Sequence, residues 1–424
     1  MQYKIFWCKV NKYYTDIWLN SGFFLWKKGI FIASCVVTDK AKRKWVKFVI
    51  DSIKKLEPDE KIYLSWCGSL DKWKVLTTFY EVYKELAPYQ DKIEVLPEEP
   101  ELVKSKKSPL IPLNKGDCSS DSESRGISKS IYTKKFILIQ SWCDSFCTFC
   151  LTVQKRWAHF FRENEAILND IIEYEKAWGK EIVLTWVNLG AWWLKSTNDL
   201  SGSKLSELIK SILQETKIRR IRISSLWPEF VDDKLLKLFE NKRIYPHFHY
   251  SIQSGSDEIL KSMHRHYDSA YIKDMLEKTR NIKREDWVSV SIWADLIIGF
   301  PWETEDNFLD TYNLVQDYNI TKLHAFTFSP HKYGENVPAW SYKNQIDEKI
   351  KKDRFNRISK LWEKVRNKFI KIQKWRTFEV LIESVKNGQF KWWTENYIEV
   401  TNDNFEIIEG VVKRNEIVVG KLKK

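Results

Sequence analysis

The sequence predicts an α/β protein built in three parts: a small N-terminal α/β domain, a central partial (β/α)6 barrel and a small C-terminal β-barrel. Three observations carry this expectation. Short apolar runs alternate with helix-spaced stretches over residues 1–96, the pattern of a compact α/β unit. Six strand–helix repeats follow within residues 131–340, which implies a parallel sheet with helical crossovers. Residues 375–424 change to closely spaced strand-like segments, enough for one small barrel.

In the N-terminal part, "GIFIASCVV" and "KIYLSWC" read as buried strands that each end at a cysteine. Between them "KAKRKWVKFVIDSIKKL" has helical spacing. Residues 97–130 are rich in Pro, Ser, Lys and acids and read as a linker, with Cys118 as a solvent-exposed thiol. The barrel strands are "FILIQ", "EIVLTWV", "IRRIRISS", "FHYSIQ", "VSVSIWADLII" and "KLHAFTF". Among the intervening helices, "TEDNFLDTYNLVQDY" repeats Phe308, Tyr312 and Val315 at i, i+4 and i+7, with Thr304 as its N-cap. Residues 341–374 form a long, strongly basic helical connector before the last strands. No internal repeat at solenoid periods is present.

A chain of 424 residues has room for about two or three domains and a sizeable core. No run approaches the roughly 18 apolar residues of a membrane helix, and "MQYKIFWCKVNKYYTD" lacks a signal-peptide apolar stretch. A cytoplasmic protein without membrane association is expected. The net charge of +13 fits either a polyanionic partner or a solubility margin. Its seven cysteines suit metal ligands or thiols better than disulfides in such a chain.

Tryptophan is anomalous. The chain has 21 Trp and only 14 Gly, although Gly averages about 7% of residues. Many of these tryptophans stand where turn chemistry wants glycine: Trp66 and Trp142 in "SWC", Trp157 in "KRWAH", Trp302 in "GFPWET" and Trp375 in "QKWRT". The expectation is that many of these codons, UGA, are read as glycine in the source organism. The alternative is a Trp-rich surface that stacks on bases, but that leaves the glycine deficit unexplained.

The stretch "SWCDSFCTFC" places Cys143, Cys147 and Cys150 at i, i+4 and i+7. It follows the first barrel strand, at the end where barrel active sites gather. His159 offers a fourth ligand, so a Cys3His zinc site is one reading. The other is a [4Fe–4S] cluster held by three thiolates, with one iron open to substrate or cofactor.

The C-x3-C-x2-C spacing, with Phe149 before the last cysteine, resembles the radical S-adenosylmethionine signature. At the N-terminus "FWCKVNKY", "ASCVVTDKAKRK" and "YLSWCGS" resemble the methylthiotransferase N-terminal domain. The resemblance implies that Cys8, Cys35 and Cys67 hold a second [4Fe–4S] cluster; Asn11 matches that pattern, and Ser34 departs from a usual Thr. "LTWVNLGAWW", "HFHYSIQSGSDEILKSM" and "DLIIGFPWETEDNF" extend the likeness through the barrel. "KWWTENYIEV" resembles the TRAM segment of threonylcarbamoyladenosine (MtaB-type) methylthiotransferases. With glycine at Trp142, Trp186, Trp302 and one of Trp392 or Trp393, the match to the family improves further.

The resemblance implies a tRNA methylthiotransferase acting on C2 of N6-threonylcarbamoyladenosine at position 37. Two molecules of S-adenosylmethionine would serve, one as methyl donor and one cleaved to a radical. The tRNA anticodon stem-loop and a flavodoxin- or ferredoxin-type electron donor are the implied partners. By family position Phe149, Thr185, Asn188, Ser251 and Gln253 would line the S-adenosylmethionine pocket. For Ser251 and Gln253 ordinary polar filling of the barrel is an equal alternative. His247, His249 and His324 are expected in structural or substrate-lining roles. The basic segment, with Lys371, Lys374 and Arg376, is the expected RNA grip, against a merely solvated helix face. Competing readings are the sister activity on N6-isopentenyladenosine, methylthiolation of a ribosomal-protein aspartate, and a zinc-stabilised RNA-binding protein without catalysis.

Overall fold

The structure, a computed structural model, describes residues 1–6, 9–34, 39–65, 68–71, 74–97, 133–140, 143–151, 161–185, 188–194, 196, 203–329, 337–374 and 376–423. Cys8, Cys35, Cys67, Cys118, Trp66, Trp142, Trp157, His159, Trp186 and Trp375 lie outside the described residues. The chain divides into two compact units, one N-terminal and one that contains the barrel strands and the C-terminal strands.

The N-terminal unit is a four-stranded parallel sheet of β1 (Gln2–Ile5), β2 (Gly29–Ala33), β3 (Lys61–Ser65) and β6 (Ile93–Val95). A short antiparallel pair, β4 (Leu70–Asp71) and β5 (Lys74–Val75), lies between the last two in sequence. Helices α1 (Lys9–Asn20) and α2 (Asp39–Ile53) are the crossovers, α2 where the spacing predicts a helix. Trp45, fully buried, packs with Phe6, Ile32, Val49, Leu64 and Tyr83 in one apolar core. Asn11 is buried and donates through Nδ2 to the Ser34 carbonyl at 3.0 Å, tying α1 to the end of β2.

In the second unit all six predicted barrel strands form. They are β7 (Lys134–Leu138), β8 (Glu181–Thr185), β9 (Arg220–Ile223), β11 (His247–Gln253), β12 (Ser291–Ile298) and β13 (Lys322–Thr327). Every ladder among them is parallel. The sequence predicts one curled sheet, whereas the structure has two: β7-β8-β9, and β11-β12-β13 edged by the short β10 (Ser225–Leu226). Among the described residues an isolated bridge, Ile221 to Ile244, joins them. The break falls at Pro246, where the strand begins to pair with β12 through Ser291 N–H to Pro246 O. Tyr245 still donates to the Ile221 carbonyl, and past the proline His247 donates to Tyr245 instead.

The helices between strands are α4 (Asn164–Lys176), α5 (Leu205–Glu215), α6 (Asp233–Leu238), α7 (Asp257–Ser262), α8 (Ser269–Arg280) and α9 (Glu305–Asp317); the N-terminal unit's short α3 is Phe79–Val82. The Thr304 cap of α9 is present as a reciprocal capping box with Asn307. Of its predicted apolar stripe, Phe308 and Val315 are buried while Tyr312 is half-buried.

The basic connector is a single helix, α10 (Glu348–Gln373), and it is not uniformly solvated. Lys351 is buried against Glu348 and the Phe328 carbonyl, and Arg354 against Glu303. Six antiparallel strands follow: β14 (Thr377–Leu381), β15 (Val385–Lys386), β16 (Gln389–Trp393), β17 (Glu399–Thr401), β18 (Phe405–Glu409) and β19 (Ile417–Leu422). They form two three-stranded sheets around Phe378, Val380, Phe390, Ile398, Val400 and Val418.

Twelve described residues other than glycine have positive φ. Four are Asn, which tolerates that region. Another four are tryptophans: Trp178 (62°), Trp193 (72°), Trp287 (58°) and Trp302 (67°).

Candidate active site

The site is built on the C-terminal ends of the parallel strands. β7 and β8 end in register, Leu138 opposite Thr185, so the loop after β7 and the loop after β8 open on one side. The β7 loop carries the cysteines: Cys143 and Cys147 are buried and Cys150 is half-buried. Its middle is pinned at Thr148, whose N–H donates to Met263 O and whose Oγ1 donates to Ser262 O at 2.9 Å. The Ala339 N–H donates to Thr148 O at 2.9 Å from the other side. Asp144 is held at the loop's start by the Ser196 hydroxyl, 2.7 Å away. Phe146 adopts φ 46° with most of its ring exposed, and Phe149 is half-buried.

Thr185 and Asn188, at the end of β8, have 0% exposure. The Thr185 hydroxyl and both polar atoms of the Asn188 amide have no hydrogen-bond partner among the described residues. Orphaned buried groups of this kind cost about 1–3 kcal/mol each unless something polar meets them. Such groups, beside the cysteine loop, fit a bound polar cofactor.

Ser251 and Gln253, at the end of β11, behave differently. The Ser251 hydroxyl donates to Asp295 Oδ2 at 3.1 Å, and its carbonyl accepts from Arg265 and from Tyr267. Gln253 sits at φ 74°, where the β11–β12 register slips. Such backbone in a non-glycine residue is held by its surroundings and gathers at functional strand ends.

Several residues here had no distinctive sequence signal. Arg265 is buried and donates from Nη1 to Cys147 Sγ at 3.2 Å and from Nε to the Tyr267 hydroxyl at 2.8 Å. Glu229 lies 3.9 Å from the same guanidinium, and burial pushes its carboxyl above the usual carboxylate range. Asp295 collects His249 Nε2 at 2.8 Å and His324 Nδ1 at 3.3 Å, while Ser225 Oγ meets His249 Nδ1 at 3.0 Å. Half-buried, Asp295 is held, against the desolvation that would raise it, far below the usual carboxylate range by these two imidazoles. Of the three histidines singled out in sequence, His249 and His324 thus meet on one carboxylate, whereas His247 lies against the Trp293 and Tyr397 rings.

The C-terminal strands and their turns pack at the opposite end of the parallel strands, where these begin at Glu181, Arg220, His247 and Ser291. Tyr397, at φ 60°, lies against His247 at 4.1 Å and under the Arg222 guanidinium at 4.3 Å between centres. Arg220 and Arg222 share the buried Glu181, and Asn396 donates to Ser289 O at 3.1 Å. Of the expected RNA-contacting residues, Lys371 is exposed while Lys374 and Arg376 are half-buried.

A six-stranded parallel α/β arrangement with a three-cysteine loop after its first strand defines a radical S-adenosylmethionine fold. The family model for the Radical SAM superfamily matches residues 137–315. A threonylcarbamoyladenosine tRNA methylthiotransferase of Thermotoga maritima is 31% identical over 413 residues, covering 93% of this chain and 89% of that protein. The counterpart from Bacillus subtilis is 28% identical over 69% of this chain and 62% of its own length. A tRNA-2-methylthio-N(6)-dimethylallyladenosine synthase of Bartonella bacilliformis is 31% identical, but over 60% of this chain and 54% of its own. The chain belongs to the radical S-adenosylmethionine methylthiotransferase family.

Among the described residues no helix is long and apolar enough to cross a membrane.

Proposed function

We propose that this protein adds a methylthio group to C2 of N6-threonylcarbamoyladenosine at tRNA position 37, in the cytoplasm. The observation that carries the reading is the near full-length likeness to the Thermotoga protein, together with the Cys143–Cys147–Cys150 loop beside orphaned polar groups. Cys143, Cys147 and Cys150 hold one [4Fe–4S] cluster, and Cys8, Cys35 and Cys67 hold a second. When bound, the clusters and S-adenosylmethionine supply the one-electron and methyl-transfer chemistry. The chain's own residues bind and orient. Thr185 and Asn188 meet polar atoms of the cofactor, and Phe149 covers it. Ser251, His249, His324 and Asp295 form the opposite wall, and their mutual hydrogen bonds keep that wall rigid.

The partner is the tRNA anticodon stem-loop. Lys371, Lys374 and Arg376 contact phosphates, which position without reading sequence, and the modified base leaves its stack to reach the barrel mouth. A low-potential donor of flavodoxin or ferredoxin type supplies electrons. The test is mass spectrometry of tRNA nucleosides from cells with and without the gene. Loss of 2-methylthio-threonylcarbamoyladenosine alone supports the reading, and loss of the isopentenyl counterpart instead transfers it to the sister activity. Zinc without iron in protein prepared without oxygen would leave only a binding module.

The reading includes glycine, read from UGA, at many positions written here as tryptophan. Its support is conformational. Trp178 follows α4 in a Schellman turn: Gly179 N–H donates to Tyr174 O at 2.9 Å, and Trp178 N–H to Glu175 O at 2.9 Å. That left-handed position after a helix is where glycine is the usual residue. Trp178 and Trp287 also leave 82% and 81% of their surface in water, so no packing offsets the strain. Trp18 and Trp45 are buried core residues and stand as true tryptophans. The intact mass of the native protein decides, since a mass that matches all 21 tryptophans removes the recoding.

A further inference from the structure

Arg265 is not one of the ligands that a cysteine motif announces, yet its side chain is the described cation that donates to a cluster cysteine. Its guanidinium is buried, with Nη1 3.2 Å from Cys147 Sγ. Three further restraints fix its plane. Nε donates to the Tyr267 hydroxyl at 2.8 Å, Nη2 donates to Ser251 O at 3.3 Å, and the group lies 3.9 Å from the centre of the Trp227 ring. Tyr267 is itself tied, donating to the carbonyls of Ser251 and Ile252 at 2.8 and 2.9 Å. The acidic group facing this cation, Glu229, is 3.9 Å away, beyond hydrogen-bond distance. The charge is therefore aimed at sulfur rather than neutralised by a close carboxylate.

We propose that Arg265 is a positioning residue that raises the reduction potential of the cluster at Cys143, Cys147 and Cys150. The inference rests on the proposed cluster reading and adds to it. Reduction of a cluster adds one negative charge, taken as one electron from the low-potential donor, with no bond made or broken. A buried cation hydrogen-bonded to a ligating thiolate stabilises the reduced, more negative form more than the oxidised one. Net charge and hydrogen bonds to the sulfurs are among the main determinants of such potentials. The fork geometry matters too, because one edge of the guanidinium serves the sulfur while the other is held by Ser251 and Tyr267.

The experiment uses the full chain with Cys8, Cys35 and Cys67 replaced by Ala, reconstituted without oxygen so that one cluster remains. Iron and sulfide are counted, and the cluster is titrated by electron paramagnetic resonance against solution potential, first without S-adenosylmethionine. Arg265→Gln should lower the potential by at least 59 mV, a tenfold loss in the reduced-to-oxidised ratio for one electron. Arg265→Lys keeps the charge without the fork and should fall between. Tyr267→Phe, which frees one edge of the guanidinium, should move in the same direction by less. If Arg265→Gln fails to take up iron, the lysine and Tyr267→Phe variants give the answer alone. A full iron content with unmoved potentials in these variants overturns the proposal. So does a shift that occurs only once S-adenosylmethionine is added, which would assign Arg265 to the cofactor. If the parent protein holds no iron, the cluster reading itself has failed, and that result is separate from an unmoved potential.

Discussion

The two sheets of the barrel treat the polar groups that face the site in opposite ways. In β7-β8-β9 the strand ends carry Thr185 and Asn188 with groups that nothing in the described protein satisfies. Across the barrel, Ser251, His249, Asp295 and His324 satisfy one another. Buried polar groups are normally paired, and an unpaired one signals a bound group or a functional constraint. On the proposed reading the first sheet's strand ends meet a ligand at some cost to their own stability, while the second sheet's polar groups hold one another. The comparison predicts that substitutions on the first sheet cost function, and that substitutions on the second cost stability.

The largest expected effect lies in the first sheet's cysteine loop. Cys147→Ala should abolish methylthiolation and lower iron from about eight to about four per chain, since three-thiolate clusters do not survive loss of a ligand readily. Iron content that stays at the parent level would detach this loop from the cluster. Next come the orphaned groups. Thr185→Val and Asn188→Ala should each weaken S-adenosylmethionine binding about tenfold or more, equivalent to about 1.4 kcal/mol. The same variants should leave the cofactor-free protein as stable as the parent or more so by roughly 1 kcal/mol, because a buried unmet group has been removed. Equilibrium dialysis and thermal unfolding measure the two sides; a loss of stability with affinity intact would dissolve the contrast.

On the second sheet the order reverses. Asp295→Asn removes the anion that two imidazoles share, and should destabilise the fold by about 2–4 kcal/mol. Denaturant unfolding checks this, and a stability change below about 0.5 kcal/mol, the scale of an ordinary surface substitution, would show that the wall is not held by that carboxylate.

A smaller, pH-dependent term sits where the C-terminal strands meet the first sheet. Burial pushes the Glu395 carboxyl up to about 7, with Arg220 and the Glu379 amide opposing it. A carboxyl raised in the folded state binds its proton more tightly there than in the unfolded chain. Its contribution is therefore fully present below the unfolded value near 4.5 and is lost as pH rises to about 7. Glu395→Gln should remove that slope, worth roughly 3 kcal/mol across the window at most. Unfolding midpoints at pH 5 and 8, compared between parent and variant, supply the measurement; identical pH dependence in both would relocate the titration.

Most of the architecture was legible in sequence, because strand and helix periodicities are local. The six barrel strands, the basic helix and the Thr304 cap all follow from spacing and cap chemistry. Interruption of the sheet at Pro246 was not foreseen, since a single proline at a strand's start marks a boundary without saying which neighbour is lost. The three-cysteine loop was legible because its spacing is itself the signal. Arg265 and Glu229 were not, because each reaches the site from a distant part of the chain: Arg265 is 118 residues from Cys147 in sequence. Nor does the sequence show that Lys351 and Arg354 point inward, although they sit in the same basic run as the exposed Lys371.

The smallest expected effect bears on the sequence itself. Trp178 occupies the left-handed position of the turn that ends α4, and its ring is 82% exposed. A residue with a Cβ in that region costs about 1–2 kcal/mol relative to glycine. Trp178→Gly in a protein made with tryptophan at every such codon should therefore raise stability by about 1 kcal/mol, despite the glycine's greater freedom when unfolded. The same change at Trp45, which has no exposed surface, should destabilise by about 3–5 kcal/mol or more, as loss of a buried aromatic does. Opposite signs at the two positions would separate tryptophans that the fold uses from those that stand in for glycine. A loss of stability at Trp178 comparable to that at Trp45 would mean that the indole belongs in the turn, and the glycine reading of the other left-handed tryptophans would go with it.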